Sequence, residues 1–116
     1  MEYPESSPNV KVGSNYLVLR LERSLDAQTV IVAEKERDRN LGAEQRYLII
    51  DMSECAFVSS IGIRFLVVTG KQLRDAGGEM FLAGLRKSVR DVLAICGLGK
   101  VFPIHDSVDL AIASLA

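Results

Sequence analysis

Two adjacent hydroxyls, Ser59 and Ser60, follow one apolar run and open another with helical periodicity. That spacing predicts a helix N-terminus, where unpaired backbone N–H groups and the helix dipole favour negative charge. A serine there can cap the helix, hold an anion, or carry a phosphate that switches a surface. Other candidate chemistry is thin. Asp26 and Asp51 fall at the C-terminal ends of predicted strands, the rim where α/β sheets build sites, and can approach each other there. No base, metal ligand or phosphate loop accompanies them. Thr69-Gly70-Lys71 looks like the end of a phosphate loop, but its first glycine would have to stand at Phe65, and Gln72 would have to be Ser or Thr. No G-x-S-x-G elbow occurs, and His105 is the only histidine, read as a surface residue beside an edge strand. The expectation is therefore no catalytic residue, no metal, no cofactor and no enzyme.

The composition sets further bounds. A chain of 116 residues makes one domain with a real core. A net charge of −1, with both signs spread along the chain, excludes the basic face of a nucleic-acid binder. The run Glu34–Asn40 alternates signs and reads as a solvated helix face. Cys55 and Cys96 lack ligand spacing and are expected to be small buried apolar residues. The N-terminus has neither a basic start nor an apolar run, and Arg64 interrupts the longest apolar stretch. These features predict a soluble, cytoplasmic protein with no membrane insertion.

The elements that must position Ser59 and Ser60 follow from periodicity and punctuation. Residues 1–8 read as a flexible leader and residues 9–116 as the domain. Val10 and Val12 suit a short edge strand, Gly13-Ser14-Asn15 a hairpin turn, and Tyr16–Leu21 a strand. Asp26 caps a helix to about Asn40, with Ala27, Val30 and Ile31 as its apolar side. Tyr47–Met52 has the continuous apolarity of a central strand. The helix from Ser60 to Ala76 carries Ile63, Leu66, Val67, Gly70 and Leu73 as its buried stripe and ends at Gly77-Gly78. Met80–Ala83 is the next strand. Ser88–Asp91 reads as a capping box for a helix turning Val89, Val92, Leu93 and Cys96 inward and ending at Gly97. Val101–Ile104, with Pro103, is an edge strand, and Asp106 or Ser107 caps a last helix. This alternation predicts an α/β fold with a mixed sheet of four to five strands and four helices, βα units following an N-terminal hairpin.

With these segments in place, the chain resembles the anti-sigma factor antagonist family, the bacterial single-domain members of the STAS fold, over residues 10–115. Leu21–Thr29 (LERSLDAQT) looks like L-x-G-x-L-D-x-x-T. Leu48–Leu66 (LIIDMSECAFVSSIGIRFL) looks like the strand and loop ending in (D/S)-S-x-G-(L/I). Gly77–Ser107 is similar to the long motif G-G-x-x-x-L-x-x-(L/P)-x-x-x-V-x-x-x-L-x-x-(T/S)-G-L-x-x-x-F-x-I-x-x-S. The resemblance implies a phosphoacceptor at Ser60, two before Gly62, with Ser59 as the alternative, and an acidic neighbour at Asp26. Arg23 stands where the family usually has Gly, Ser59 where many members have Asp, and Ile61 in place of a second hydroxyl.

The implied function is partner switching. The unmodified protein binds a serine-kinase anti-sigma factor and frees a sigma factor, phosphorylation releases it, and a serine phosphatase resets it. The implied docking surface comprises Asp26, Ser59, Ser60, Gly62 and Arg64, with no direct contact to nucleic acid. The alternative is a constitutive adaptor, either a stressosome-type scaffold or an accessory subunit of a lipid-transport ABC complex, which uses the same face without phosphorylation. Which sigma factor is concerned, and whether the chain self-associates, do not follow from the sequence.

Overall fold

A hairpin opens the sheet: β1 (Val10–Val12) and β2 (Tyr16–Arg20) pair antiparallel, closed by the Gly13 N–H donating to the Tyr16 carbonyl at 2.8 Å, and the absence of a side chain at Gly13 leaves room for the Tyr16 ring. The computed structural model describes residues 3–115. After the hairpin come β3 (Arg23–Leu25), α1 (Ala27–Asn40), β4 (Tyr47–Asp51), β5 (Cys55–Val58), α2 (Ser60–Asp75), β6 (Glu79–Ala83), α3 (Lys87–Ile95), β7 (Ile104–His105) and α4 (Val108–Ala113). The main sheet has the order β1-β2-β4-β6-β7, parallel throughout except at β1. This is the mixed α/β architecture the sequence predicts. Sequence reasoning missed β3 and β5, which form a separate two-stranded parallel sheet.

Alternation along the central strands divides the core between two faces. Leu17, Leu19, Leu48, Ile50, Met80 and Leu82 pack with Val30, Leu66, Leu73, Val89 and Leu93 on one side. Val18, Ile49, Phe81 and Ala83 meet Val108, Ala111 and Tyr3 on the other. Both faces being covered explains why Tyr47–Asp51 is apolar almost throughout.

Several details correct the sequence reading. The described part of the expected leader, from Tyr3 on, is tied down: the Tyr3 hydroxyl donates to Asp51 Oδ2 at 2.5 Å, and the Arg20 guanidinium lies 4.5 Å from its ring centroid. Burial, together with the Asp51 carboxylate as acceptor, pushes the Tyr3 phenol upward from its ordinary value. On α1 the buried pair is Val30 and Ala33, while Ala27 and Ile31 face solvent. On α2 the stripe is Gly62, Phe65, Leu66, Thr69, Gly70 and Leu73, with Ile63 only half-buried and Val67 exposed. A threonine fits this stripe because Arg37 on α1 donates to Thr69 Oγ1 at 3.1 Å, so the buried hydroxyl is satisfied.

The C-terminal half departs in the same local way. The Ser88–Asp91 capping box does not form. Ser88 lies inside the first turn of α3, Arg86 occupies the cap position without a side-chain bond, and Asp91 instead accepts from Lys87 at 2.8 Å. Val92 and Cys96 are exposed and only Val89 and Leu93 are buried, so of the two cysteines Cys55 alone is interior. The edge strand shrinks to Ile104–His105 because Leu98–Lys100 forms a 3-10 turn and Phe102 folds down against Gly70. His105 is half-buried, its ring 5.7 Å from that of Phe81. Ser107, rather than Asp106, caps α4.

Arg23 is the one non-glycine residue with positive φ among the described residues, at +64°. It sits where the β3–β5 register shifts, and its N–H donates to the Glu54 carbonyl at 2.9 Å. A side chain in this left-handed region costs about 1 kcal/mol or more, which glycine avoids. The glycine expected from the resemblance therefore has a physical reason, and arginine occupies its place under strain.

Two stability measurements follow. Leu66→Ala should lower the unfolding free energy by about 2–5 kcal/mol, whereas Val67→Ala should cost under about 1 kcal/mol. Equal losses in urea unfolding would refute the helix phase. Arg23→Gly should raise stability by about 1 kcal/mol, read as a higher urea midpoint at unchanged slope.

Candidate functional site

The site is built around one backbone oxygen. The Leu25 carbonyl, at the end of β3, accepts the Ser59 N–H at 2.9 Å and the Ser59 hydroxyl at 3.3 Å. The same hydroxyl accepts the Gly62 N–H at 3.2 Å, so Ser59 is the N-cap of α2 and its side chain is fully engaged. Asp26, the residue after Leu25, is the N-cap of α1. The starts of α1 and α2 thus flank a single hydrogen bond, with Asp26 and Ser60 each one residue away from it.

Asp26 is satisfied on all sides. Ser24 Oγ donates to it at 2.7 Å, the Gln28 and Thr29 amides at 2.9 and 3.1 Å, and the Asp26 N–H returns a bond to Thr29 Oγ1 at 2.8 Å. These donors, the Ser24 hydroxyl foremost, hold its carboxyl below the usual aspartate range. The cap is therefore fully formed above the ordinary aspartate pKa and is lost only as pH falls through the lowered one.

Ser60 differs from Ser59. It is exposed in the first turn of α2, and its hydroxyl has no partner among the described residues. Close to it in the chain are the exposed apolar side chains of Phe57, near the end of β5, and Ile61, with exposed Val68 about two turns further along α2. Arg64 shares their face: Ile61, Arg64 and Val68 have the spacing of helical neighbours and line a groove with Val30, Arg37 and Phe65 of about 460 Å³ between α1 and α2.

Of the residues predicted from sequence, Asp26, Ser59 and Ser60 come together, and Arg64 lies one turn further along. Gly62 turns the other way. It is buried, and a Cβ there would lie 2.4 Å from the Leu25 oxygen and 2.9 Å from the Leu25 Cγ. Its smallness serves close contact with Leu25 within the chain. Asp51 does not join the site: it is buried, accepts from Tyr3 and from the Ser53 N–H at 3.0 Å, and shares no hydrogen-bond donor with Asp26. Leu25 and Phe57 escaped the sequence reading. The signal that could have found them is the short apolar run Ala56–Val58 beside Leu25, too brief to read as paired strands.

The STAS domain family matches residues 7–111. The chain belongs to that family, among the anti-sigma factor antagonists. A Bordetella bronchiseptica protein described as a candidate anti-sigma factor antagonist, BtrV, is 32% identical over 81 residues, 70% of each chain. The fold is also that of a candidate antagonist from Thermotoga maritima (TM-score 0.82, 18% identity, 90% of this chain and 91% of that one). SpoIIAA in its unphosphorylated form gives TM-score 0.78 at 20% identity, covering 91% and 93%, and SpoIIAA is known in a phosphorylated form too. Among the described residues no helix is long and apolar enough to cross a membrane.

The packing at this STAS site makes a direct prediction. Gly62→Ala should destabilise by about 1–3 kcal/mol, because its methyl group has nowhere to go but into the Leu25 carbonyl. Ser59→Ala should cost about 1 kcal/mol as a lost cap, and Ser60→Ala less than half of that. A reversed order of the two serines in thermal or urea unfolding would overturn the cap assignment.

Proposed function

We propose that this chain is a phosphorylation-gated anti-sigma factor antagonist, with Ser60 as the phosphoacceptor. In this reading it docks on a serine-kinase anti-sigma factor through the surface around Asp26, Ser60, Phe57, Ile61 and Arg64, releasing a sigma factor. Phosphorylation of Ser60 ends the complex and a serine phosphatase restores it. The observation that carries the reading is the contrast between the two serines: the hydroxyl of Ser59 is consumed by the cap, while that of Ser60 is exposed and unbonded.

The energetics support a switch at this position. A phosphate adds a charge of about −1.5 to −2. In the free protein it meets water and the positive end of α2. In a complex it would be enclosed beside Phe57 and Ile61, with the Asp26 carboxylate across the Leu25–Ser59 hydrogen bond. Desolvating it there is unfavourable, and only about 2.7 kcal/mol is needed to weaken a complex a hundredfold.

The test is phosphosite mapping by mass spectrometry after incubation with the cognate kinase and ATP. Wild type and Ser59→Ala should each gain one phosphate on Ser60, and Ser60→Ala none while keeping its affinity for the kinase. Ser60→Asp should bind more weakly, though it offers less charge than phosphate. Phosphate on Ser59 would refute the assignment, and no phosphate at all would favour a constitutive adaptor.

A further inference from the structure

Arg23 presents a cost without a visible return inside the molecule. Its backbone holds a left-handed conformation that glycine would adopt freely, yet its exposed side chain has no hydrogen bond or ion pair among the described residues. Strain of this kind is held in place by the surrounding structure and clusters at ligand clamps and switch regions. The surroundings say what. Arg20, Arg23 and Arg86 line one open cleft of about 390 Å³ with Glu22, Glu54 and Ala56.

Two of the three guanidiniums are already committed. Arg20 pairs with Glu22 at 3.7 Å and donates to the Pro8 carbonyl and Asn9 Oδ1. Arg86 pairs with Glu54 at 3.5 Å and donates to the Ser53 carbonyl. The third, Arg23, is held between them with its donors unused. Glu22 and Glu54 offset the other two guanidiniums, so the cleft offers one unmatched planar fork, which suits a single carboxylate held bidentately.

We propose that this cleft docks an acidic peptide segment of the protein partner that engages Ser60, with Arg23 as the specificity-determining contact. The cleft and Ser60 lie at opposite ends of the same two-stranded sheet: Arg23 pairs with Cys55 where β3 and β5 begin, and Ser60 follows where β5 ends. Ser24 and Leu25 separate Arg23 from Asp26, a span of about 10 Å for extended chain. A partner footprint of about 800 Å² is wide enough to take in both Ser60 and the cleft. The identity of the partner rests on the proposed function. The preference of the cleft for carboxylates does not.

The experiment titrates the full chain with a poly-glutamate peptide of about ten residues, following arginine side-chain and backbone NMR signals at low and at physiological salt. Expected are shifts at Arg23, Arg20 and Arg86, absent at Ser60, with binding weakened about tenfold in Arg23→Gly and by less in Arg23→Lys, which keeps the charge but not the fork. Arg23→Gly relieves backbone strain, so its loss of binding cannot come from misfolding. Equal binding by Arg23→Gly, or no shifts at the three arginines, would overturn the proposal. Inorganic phosphate producing the same shifts at lower concentration than the peptide would overturn it too, making the cleft a free-anion site. Because no kinase or phosphorylation is involved, failure here leaves the Ser60 assignment standing, and failure at Ser60 removes the named partner but leaves the carboxylate preference of the cleft standing.

Discussion

The Leu25 carbonyl is where the structure allows least freedom. It takes two hydrogen bonds from Ser59, and the α-carbon of Gly62 presses against it so closely that a single methyl group would overlap it. Leu25 itself is fully buried, so the oxygen cannot retreat. The β3–β5 pairing, the start of α1 and the start of α2 all take their positions from this point. A helix N-terminus is ordinarily frayed and solvated, but here the first turn of α2 is clamped. Ser60 is therefore presented at a fixed place on the surface, not on a mobile loop.

That clamp also arranges the local charge. Two helices begin side by side, and their dipoles place positive potential on the same patch. Asp26 offsets part of it while spending its oxygens on Ser24, Gln28 and Thr29. The amides of Ser60 and Ile61 have no acceptor among the described residues, so the start of α2 has two open donors where that of α1 has one, at Ala27. A negative group on Ser60 would be tolerated by the free domain through these amides, yet stand near a carboxylate that is held ionised. The surface can carry such a group in water far better than beneath a partner. This asymmetry, not any affinity of its own, is what a switch at this position would use.

Legibility in the sequence followed the length of each signal. The strands Tyr16–Arg20, Tyr47–Asp51 and Glu79–Ala83 and the helices after Asp26 and Ser59 have sustained periodicity, and they were read with only small boundary errors. β3 and β5 span three and four residues, with Arg23 and Phe57 exposed, so neither run carries a pattern that separates it from a loop. On α2 the buried stripe was misjudged by about one residue because Thr69 looks polar until Arg37 is seen to satisfy it, and because Val67 looks apolar enough to bury. Capping failed at α3 for a similar reason: Ser88 and Asp91 have the right spacing, but the helix starts one residue before Ser88. Tyr3 could not be placed at all, since its anchoring to Asp51 and Arg20 is wholly long-range.

The same distinction separates the parts of the site that packing dictates from those it leaves open. Gly62 is fixed by the clearance to Leu25, Ser59 by the cap it provides, and Asp26 by the three donors around its carboxylate, so substitution at any of them disturbs the fold. Ser60, Ile61, Phe57 and Arg64 are exposed and contribute little to the core, so packing does not dictate their identities. Arg23 belongs with this second group, although it sits at a position where backbone geometry favours glycine. A residue kept against local preference, beside two arginines whose charges are already matched, is the place where the fold concedes stability to recognition.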